Sequence, residues 1–255
     1  MNVLRALVWL AATATTTAAN NITAADGSVG VIESVMIPMR DGVKLSTDVL
    51  VPLHLKDPER KFPAVIDRSP YGHTGTELIA DIYLPIGFAT ITQDFRGTGD
   101  SEGKFPLWHT ATNDTADTIA WIREQKWSDG RVFTVGASAD GIASLLVPLD
   151  PTAKLSGQFV IFATADAYNT IFPGGAYRAA LIDGWLKGTV RSQSAELIQL
   201  TRSEESFYGN PWWEVVSAAG KFDMLTAPAV FWAGYVRGHH VGGVWCLCVA
   251  VLPSW

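Results

Sequence analysis

The residues best placed to do chemistry are Gly136-Ala137-Ser138-Ala139-Asp140-Gly141, which follow an apolar run and lead into a helix-like pattern. The spacing G-x-S-x-x-G is a variant of the nucleophile elbow, a strand-to-helix turn that holds a serine hydroxyl at the top of a sheet. The chemistry would be attack of Ser138 on an acyl carbon, with the amide of Ala139 at a helix N-terminus stabilising the oxyanion. The same small residues also suit a plain packing turn, so the motif alone leaves both readings open.

The elements that must hold such a serine can be read on either side of it. Val35 and Ile37 stand two apart, Arg40-Asp41-Gly42 turns, and Leu45, Thr47 and Val49 resume the two-residue period, which predicts two strands. Short buried strands follow at Ala64–Ile66 and Ala89–Thr92, and the latter empties into a Gly- and Asp-rich loop. Apolar Ala116, Ile119, Ala120 and Ile122 predict a helix over 113–125. The strand RVFTVG enters the Ser138 turn, a helix runs from Ala139 to Val147, and further strands are expected at 157–166 and 227–235. Strands alternating with helices imply an α/β fold with a mostly parallel sheet covered on both faces. Residues 167–226, rich in Tyr and Trp, predict a helical cap inserted over the sheet's C-terminal edge.

A chain of 255 residues with 48% hydrophobic and 17% charged residues has room for one α/β domain and is neither disordered nor a coiled coil. Its net charge of −6 argues against nucleic acid as a partner. At the N-terminus Arg5, an apolar run from Ala6 to Ala12, and small residues up to Ala19 form a secretory signal pattern over 1–19, so a secreted, extracellular protein is expected. That run is too short to cross a bilayer. Residues 20–34 then read as an N-terminal extension ahead of a core at 35–166. Sequons at Asn21 and Asn113 fit the secretory route. Cys246 and Cys248 are too close for an unstrained disulfide and read as buried, inert thiols.

Several segments together resemble the Xaa-Pro dipeptidyl-peptidase-like serine hydrolases, the family that includes cocaine esterase and the α-amino-acid ester hydrolases. They are MRDGVKLSTDV (39–49), RSPYG (68–72), GFATITQDFRGTGDSEGKF (87–105), DTADTIAWIREQKWSDGRV (114–132) and the elbow itself, in the family's order. The likeness continues more weakly through 172–186 and 212–235. It implies an α/β-hydrolase core, Ser138 as nucleophile, and the Tyr71 hydroxyl as oxyanion donor beside the Ala139 N–H. No metal or organic cofactor is implied, the substrate would be a small ester or peptide, and no oligomeric state follows. Asp94, Arg96 and Asp100 in the DFRGTGDSEG loop read as groups that fix the loop. The family usually carries an aromatic residue where Ala139 stands, so the pocket wall is expected to lack a ring.

A serine nucleophile needs a base and an orienting acid, in the order Ser, acid, His for this fold. After Ser138 the histidines are His239 and His240, and no Asp or Glu follows Asp223. The tail 236–255 has no family likeness, and the chain reads as a member truncated at the C-terminus. Three readings follow: a catalytically impaired family member, a substitute triad of Asp166 with His239 or His240, or a non-catalytic module whose aromatic cap binds a small ligand.

Overall fold

β-Branched and aromatic residues alternate through the middle of the chain, and among the described residues they form one mixed sheet of eight strands. The computed structural model describes residues 20–53, 57, 59–190, 192–203 and 210–232. The strands are β1 (Asn20–Thr23), β2 (Val29–Pro38), β3 (Lys44–Pro52), β4 (Phe62–Ser69), β5 (Ala89–Asp94), β6 (Ser128–Ala137), β7 (Gly157–Ile161) and β8 (Ala229–Trp232). Their order across the sheet is β1-β2-β3-β5-β4-β6-β7-β8. The run β1-β2-β3-β5 is antiparallel. From β5 through β4, β6 and β7 to β8 every pairing is parallel. Among the described residues the sheet already includes Asn20, within the stretch that the sequence predicts as an extension. The signal-like residues 1–19, both cysteines, His239 and His240 lie outside the described residues.

Parallel neighbours need crossovers, and helices supply them. The helices are α1 (Thr76–Tyr83), α2 (Ala111–Glu124), α3 (Ala139–Leu146), α4 (Ala167–Ile171), α5 (Ala179–Thr189), α6 (Ser194–Ser203) and α7 (Pro211–Glu214). Ala64 and Ile66 of β4 pack with Ile91, Val132 and the Ile119–Ile122 stripe of α2. Val65, one residue out of phase, packs with Val135 and Ile79 of α1 on the opposite face. This two-residue alternation is why β4 is buried on both sides.

A third apolar cluster joins α3, the Phe105–Trp108 loop and the α4–α7 insertion, with Phe105 and Phe172 fully buried at its centre. Full burial of such a ring stabilises by about 1.5–3 kcal/mol. The insertion is also tied by hydrogen bonds. Gln193 accepts from the Phe105 N–H at 2.9 Å and donates to the Gly97 carbonyl at 3.0 Å. α1 and the limits of several strands are new relative to the sequence reading. β7 stops at Ile161 because Phe162 turns to φ 49°, outside the extended region.

Candidate active site

Ser138 stands between β6 and α3 with φ 57° and ψ −117°. A non-glycine residue there stores about 1–3 kcal/mol of strain and persists only where its surroundings hold it. Two backbone bonds do so: the Ser138 N–H donates to the Ile161 carbonyl of β7 at 2.9 Å, and the Ser138 carbonyl accepts from the Ile142 N–H at 3.0 Å. Close approach explains the flanking glycines. A Cβ on Gly136 would sit 2.5 Å from the Asp140 carbonyl carbon, and one on Gly141 would sit 2.7 Å from the Ala163 methyl. Ser138 ends up exposed while Ala139 is buried. As the first residue of α3, Ala139 has an N–H with no carbonyl of its own helix to meet.

Tyr71 follows the C-terminal end of β4, and β4 lies beside β6 in parallel register, with Asp67 opposite Val135. Both chains therefore leave the sheet at the same edge. The Tyr71 phenol accepts a hydrogen bond from the Trp185 indole at 3.0 Å. An indole N–H can only donate, so the phenol keeps its own proton for another acceptor. Burial and the nearby Asp140 charge raise the Tyr71 pKa, opposed by contacts with Trp185 and Ser138, and the phenol stays protonated. The Ser138 side chain is thus a direct neighbour of the Tyr71 hydroxyl.

The wall beside this pair is aromatic despite Ala139. Trp185 stacks on Trp108 with ring centroids 5.4 Å apart and planes 2° apart. The Trp108 indole donates to the Ala139 carbonyl at 2.9 Å, which seats the pair on the start of α3. The ring expected to be lost at 139 is supplied from the 105–108 loop and α5. Neither tryptophan is marked by a local motif, because both contacts join distant segments.

Downstream of Tyr71, His73 lies between two carboxylates, 3.3 Å from Asp48 and 3.4 Å from Asp94. Burial works against its charge, but the Asp48 hydrogen bond and the charges of Asp94 and Asp48 raise its pKa to about 9. The resulting imidazolium clamps the turn to β3 and β5. Asp94 also accepts from the Asp100 N–H at 3.0 Å. Arg96 pairs with Asp114 at 2.7 Å and with Asp41 at 2.6 Å. Asp100 contributes its amide; its carboxylate makes no ion pair among the described residues. Asp166 caps α4, accepting from the Asn169 N–H at 3.1 Å and from the Asn169 side chain at 2.6 Å.

The fold and the elbow define an α/β-hydrolase. The model of the X-Pro dipeptidyl-peptidase (S15) family matches residues 41–241, and the chain belongs to that family of serine hydrolases. It is 28% identical over 267 aligned positions to the cocaine esterase of Rhodococcus sp. (strain MB1 Bresler), covering 84% of this chain and 45% of that protein. Among solved structures, a CocE/NonD family hydrolase from Staphylococcus aureus superposes with TM-score 0.69 at 18% identity, over 83% of this chain and 43% of that one. An α-amino acid ester hydrolase superposes with TM-score 0.58 at 21% identity, over 78% and 42%. The chain spans less than half the length of each of these proteins.

Proposed function

We propose that this chain hydrolyses a small ester or an Xaa-Pro-type peptide bond through an acyl-enzyme on Ser138. The observation that carries the reading is an exposed serine, held in a strained turn at a helix start, facing a phenol whose proton is free to be donated. The Ser138 Oγ attacks the carbonyl carbon, and the oxyanion is met by the Tyr71 O–H and the Ala139 N–H. The base takes the Ser138 proton, and the tetrahedral species collapses to the ester of Ser138, expelling an alcohol or amine to which the base passes that proton. Water, losing a proton to the same base, then attacks the acyl-enzyme through the same oxyanion contacts, and collapse releases the carboxylic acid while the proton returns to the Ser138 oxygen. Trp108 and Trp185 form an apolar wall suited to an uncharged acyl group. His239 and His240 are the candidates for the base, with Asp166 as the orienting acid once released from its cap. The pattern in residues 1–19 supports passage through the secretory route, which N-terminal sequencing of the mature protein tests.

Labelling with a fluorophosphonate is the direct test. The wild-type chain is expected to label, and Ser138→Ala is expected not to. Loss of labelling in His239→Ala or His240→Ala identifies the base. A wild-type chain that does not label supports the impaired or ligand-binding reading instead.

A further inference from the structure

We propose that His73 is a positioning residue for the oxyanion donor: held on β3 and β5, it anchors the turn from which Tyr71 reaches Ser138. The proposal rests on the reading of Tyr71 as that donor. Tyr71 is 45% exposed, so packing holds its side chain only in part. The chain on either side must do the rest. Toward β4, the Tyr71 N–H donates to the Ser69 hydroxyl at 3.1 Å. On the other side Gly72, with φ 86° and ψ 178°, joins it directly to His73. Tyr71 therefore spans two posts, the end of β4 and His73.

The His73 ring is gripped through both nitrogens. Nδ1 lies 3.3 Å from the Asp48 carboxylate of β3. Nε2 lies 3.1 Å from the Ser46 carbonyl of β3 and 3.4 Å from the Asp94 carboxylate of β5. Carbonyl and carboxylate oxygens only accept, so each nitrogen must carry a hydrogen to bond there, and the ring is an imidazolium. Burial opposes the Asp48 charge, yet hydrogen bonds from His73 and Ser34 hold its pKa below the ordinary value. Burial raises Asp94, and the Asp100 charge stands beside it. Asp67 of β4 flanks the same turn, its Oδ2 3.7 Å from where a Cβ on Gly75 would stand. Among the described residues His73 is the cation paired with Asp48 and Asp94, because Arg68 and Arg96 turn to Asp114 and Arg96 also to Asp41. The His73 carbonyl accepts the Thr76 hydroxyl at 2.9 Å, and the Thr92 hydroxyl of β5 lies 2.7 Å from that of Thr76, so the start of α1 is tied to the same strand.

A neutral imidazole carries one N–H. It would turn a bare nitrogen lone pair onto an acceptor oxygen and leave the Asp48 and Asp94 carboxylates without their cation. Loss of the proton therefore frees His73 from one of its strands, and Tyr71 keeps a single post. Burial works against the charge, but the Asp48 hydrogen bond and the Asp94 and Asp48 charges raise the His73 pKa to about 9. The anchor is thus set at neutral pH and slackens as pH rises through about 9. His73 touches no reacting atom; it acts on the oxyanion through the backbone of Gly72 and Tyr71.

The Trp185 indole, which donates to the Tyr71 phenol, reports the place of Tyr71 without requiring turnover. In the full ¹⁵N-labelled chain its N–H resonance is identified by its loss in Trp185→Phe. It is expected to shift with the midpoint of the His73 ring itself, near 9. Tyr71 ionises later, its pKa being raised above the ordinary 10.0. Asp140 is also raised to about 9, so Asp140→Asn is the control, and the step is expected to survive there. In His73→Gln the indole is expected to hold its alkaline position at every pH. In His73→Lys, which stays charged to about 10, it is expected to regain the neutral position. An indole that is flat across the His73 titration, a step lost in Asp140→Asn, or a His73→Gln resonance matching wild type at neutral pH overturns the proposal. Should the variants not fold, the wild type decides: indole and His73 midpoints that move together on warming, as an imidazole's does and a carboxyl's does not, support the anchor, and midpoints that part defeat it. In parallel, fluorophosphonate labelling at neutral pH is expected to be about tenfold slower in His73→Gln and largely restored in His73→Lys. A wild type that labels at no pH removes the Ser138 reading, while the indole titration still decides the anchor.

Discussion

The Trp185–Tyr71 hydrogen bond runs in the direction that chemistry at Ser138 needs, because the indole takes a phenol lone pair and leaves its proton. Tyr71→Phe is therefore expected to lower kcat/KM on a simple aryl ester by about 10²–10³, with the fold intact because Tyr71 is half exposed. Trp185→Phe keeps a ring and loses the donor. A net hydrogen bond of about 1 kcal/mol predicts a fall of roughly fivefold, measured on the same ester. Ser138 and Tyr71 were legible in the sequence because each sits in a short motif at a strand end. Trp185 was not, since its partner is 114 residues away and it stands among many aromatics of the cap. His73 carried no signal either: a lone histidine shows its role only when β3 and β5 bring Asp48 and Asp94 to it.

The turn between β6 and α3 has no spare space, and its spacing motif is the trace of that. Gly136→Ala would press a methyl onto the Asp140 backbone and is expected to destabilise by about 1–3 kcal/mol, read from the urea midpoint. At the loop after β5, Arg96→Met would leave buried Asp114 with the Thr110 hydroxyl at 2.8 Å and, as its remaining cation, Arg68 at the longer 3.7 Å, a loss of about 3 kcal/mol by the same measurement. Strands and helices with one-sided patterns were legible, α2 and α3 above all, because burial of one face writes a period into the sequence. α1 was not, since Leu78 and Ile82 are apolar yet exposed and blur the stripe. The sequence predicts a longer β7 than the structure has, because nothing in its apolar composition marks the turn at Phe162.

At the scale of the whole molecule, three partly buried groups, His73, Asp67 and Asp140, bind protons up to near or above neutral pH, and they act in one direction. His73, raised from 6.5 to about 9, gives stability that is complete below 6.5 and lost as pH rises through about 9. Asp67 and Asp140, raised from 3.8 to about 7 and about 9, likewise lose stability as pH climbs from about 3.8, and that loss is complete once those values are passed. The urea midpoint is expected to fall between about pH 6 and 9.5, and Asp140→Asn is expected to reduce that fall. A midpoint that rises over this range contradicts the protonation states described. The parallel layout of the sheet was legible from the alternation of strands and helices, whereas β1 was not, because Asn20–Thr23 is short and polar. The pairing of Asp67 with Val135 sets how far Tyr71 and Ser138 rise above the sheet relative to one another. A slip of two residues there would part them by about 7 Å. Length changes across descendants of this chain are therefore expected to collect in the crossovers and the cap, where they leave that alignment untouched, and to be purged from the ends of β4 and β6.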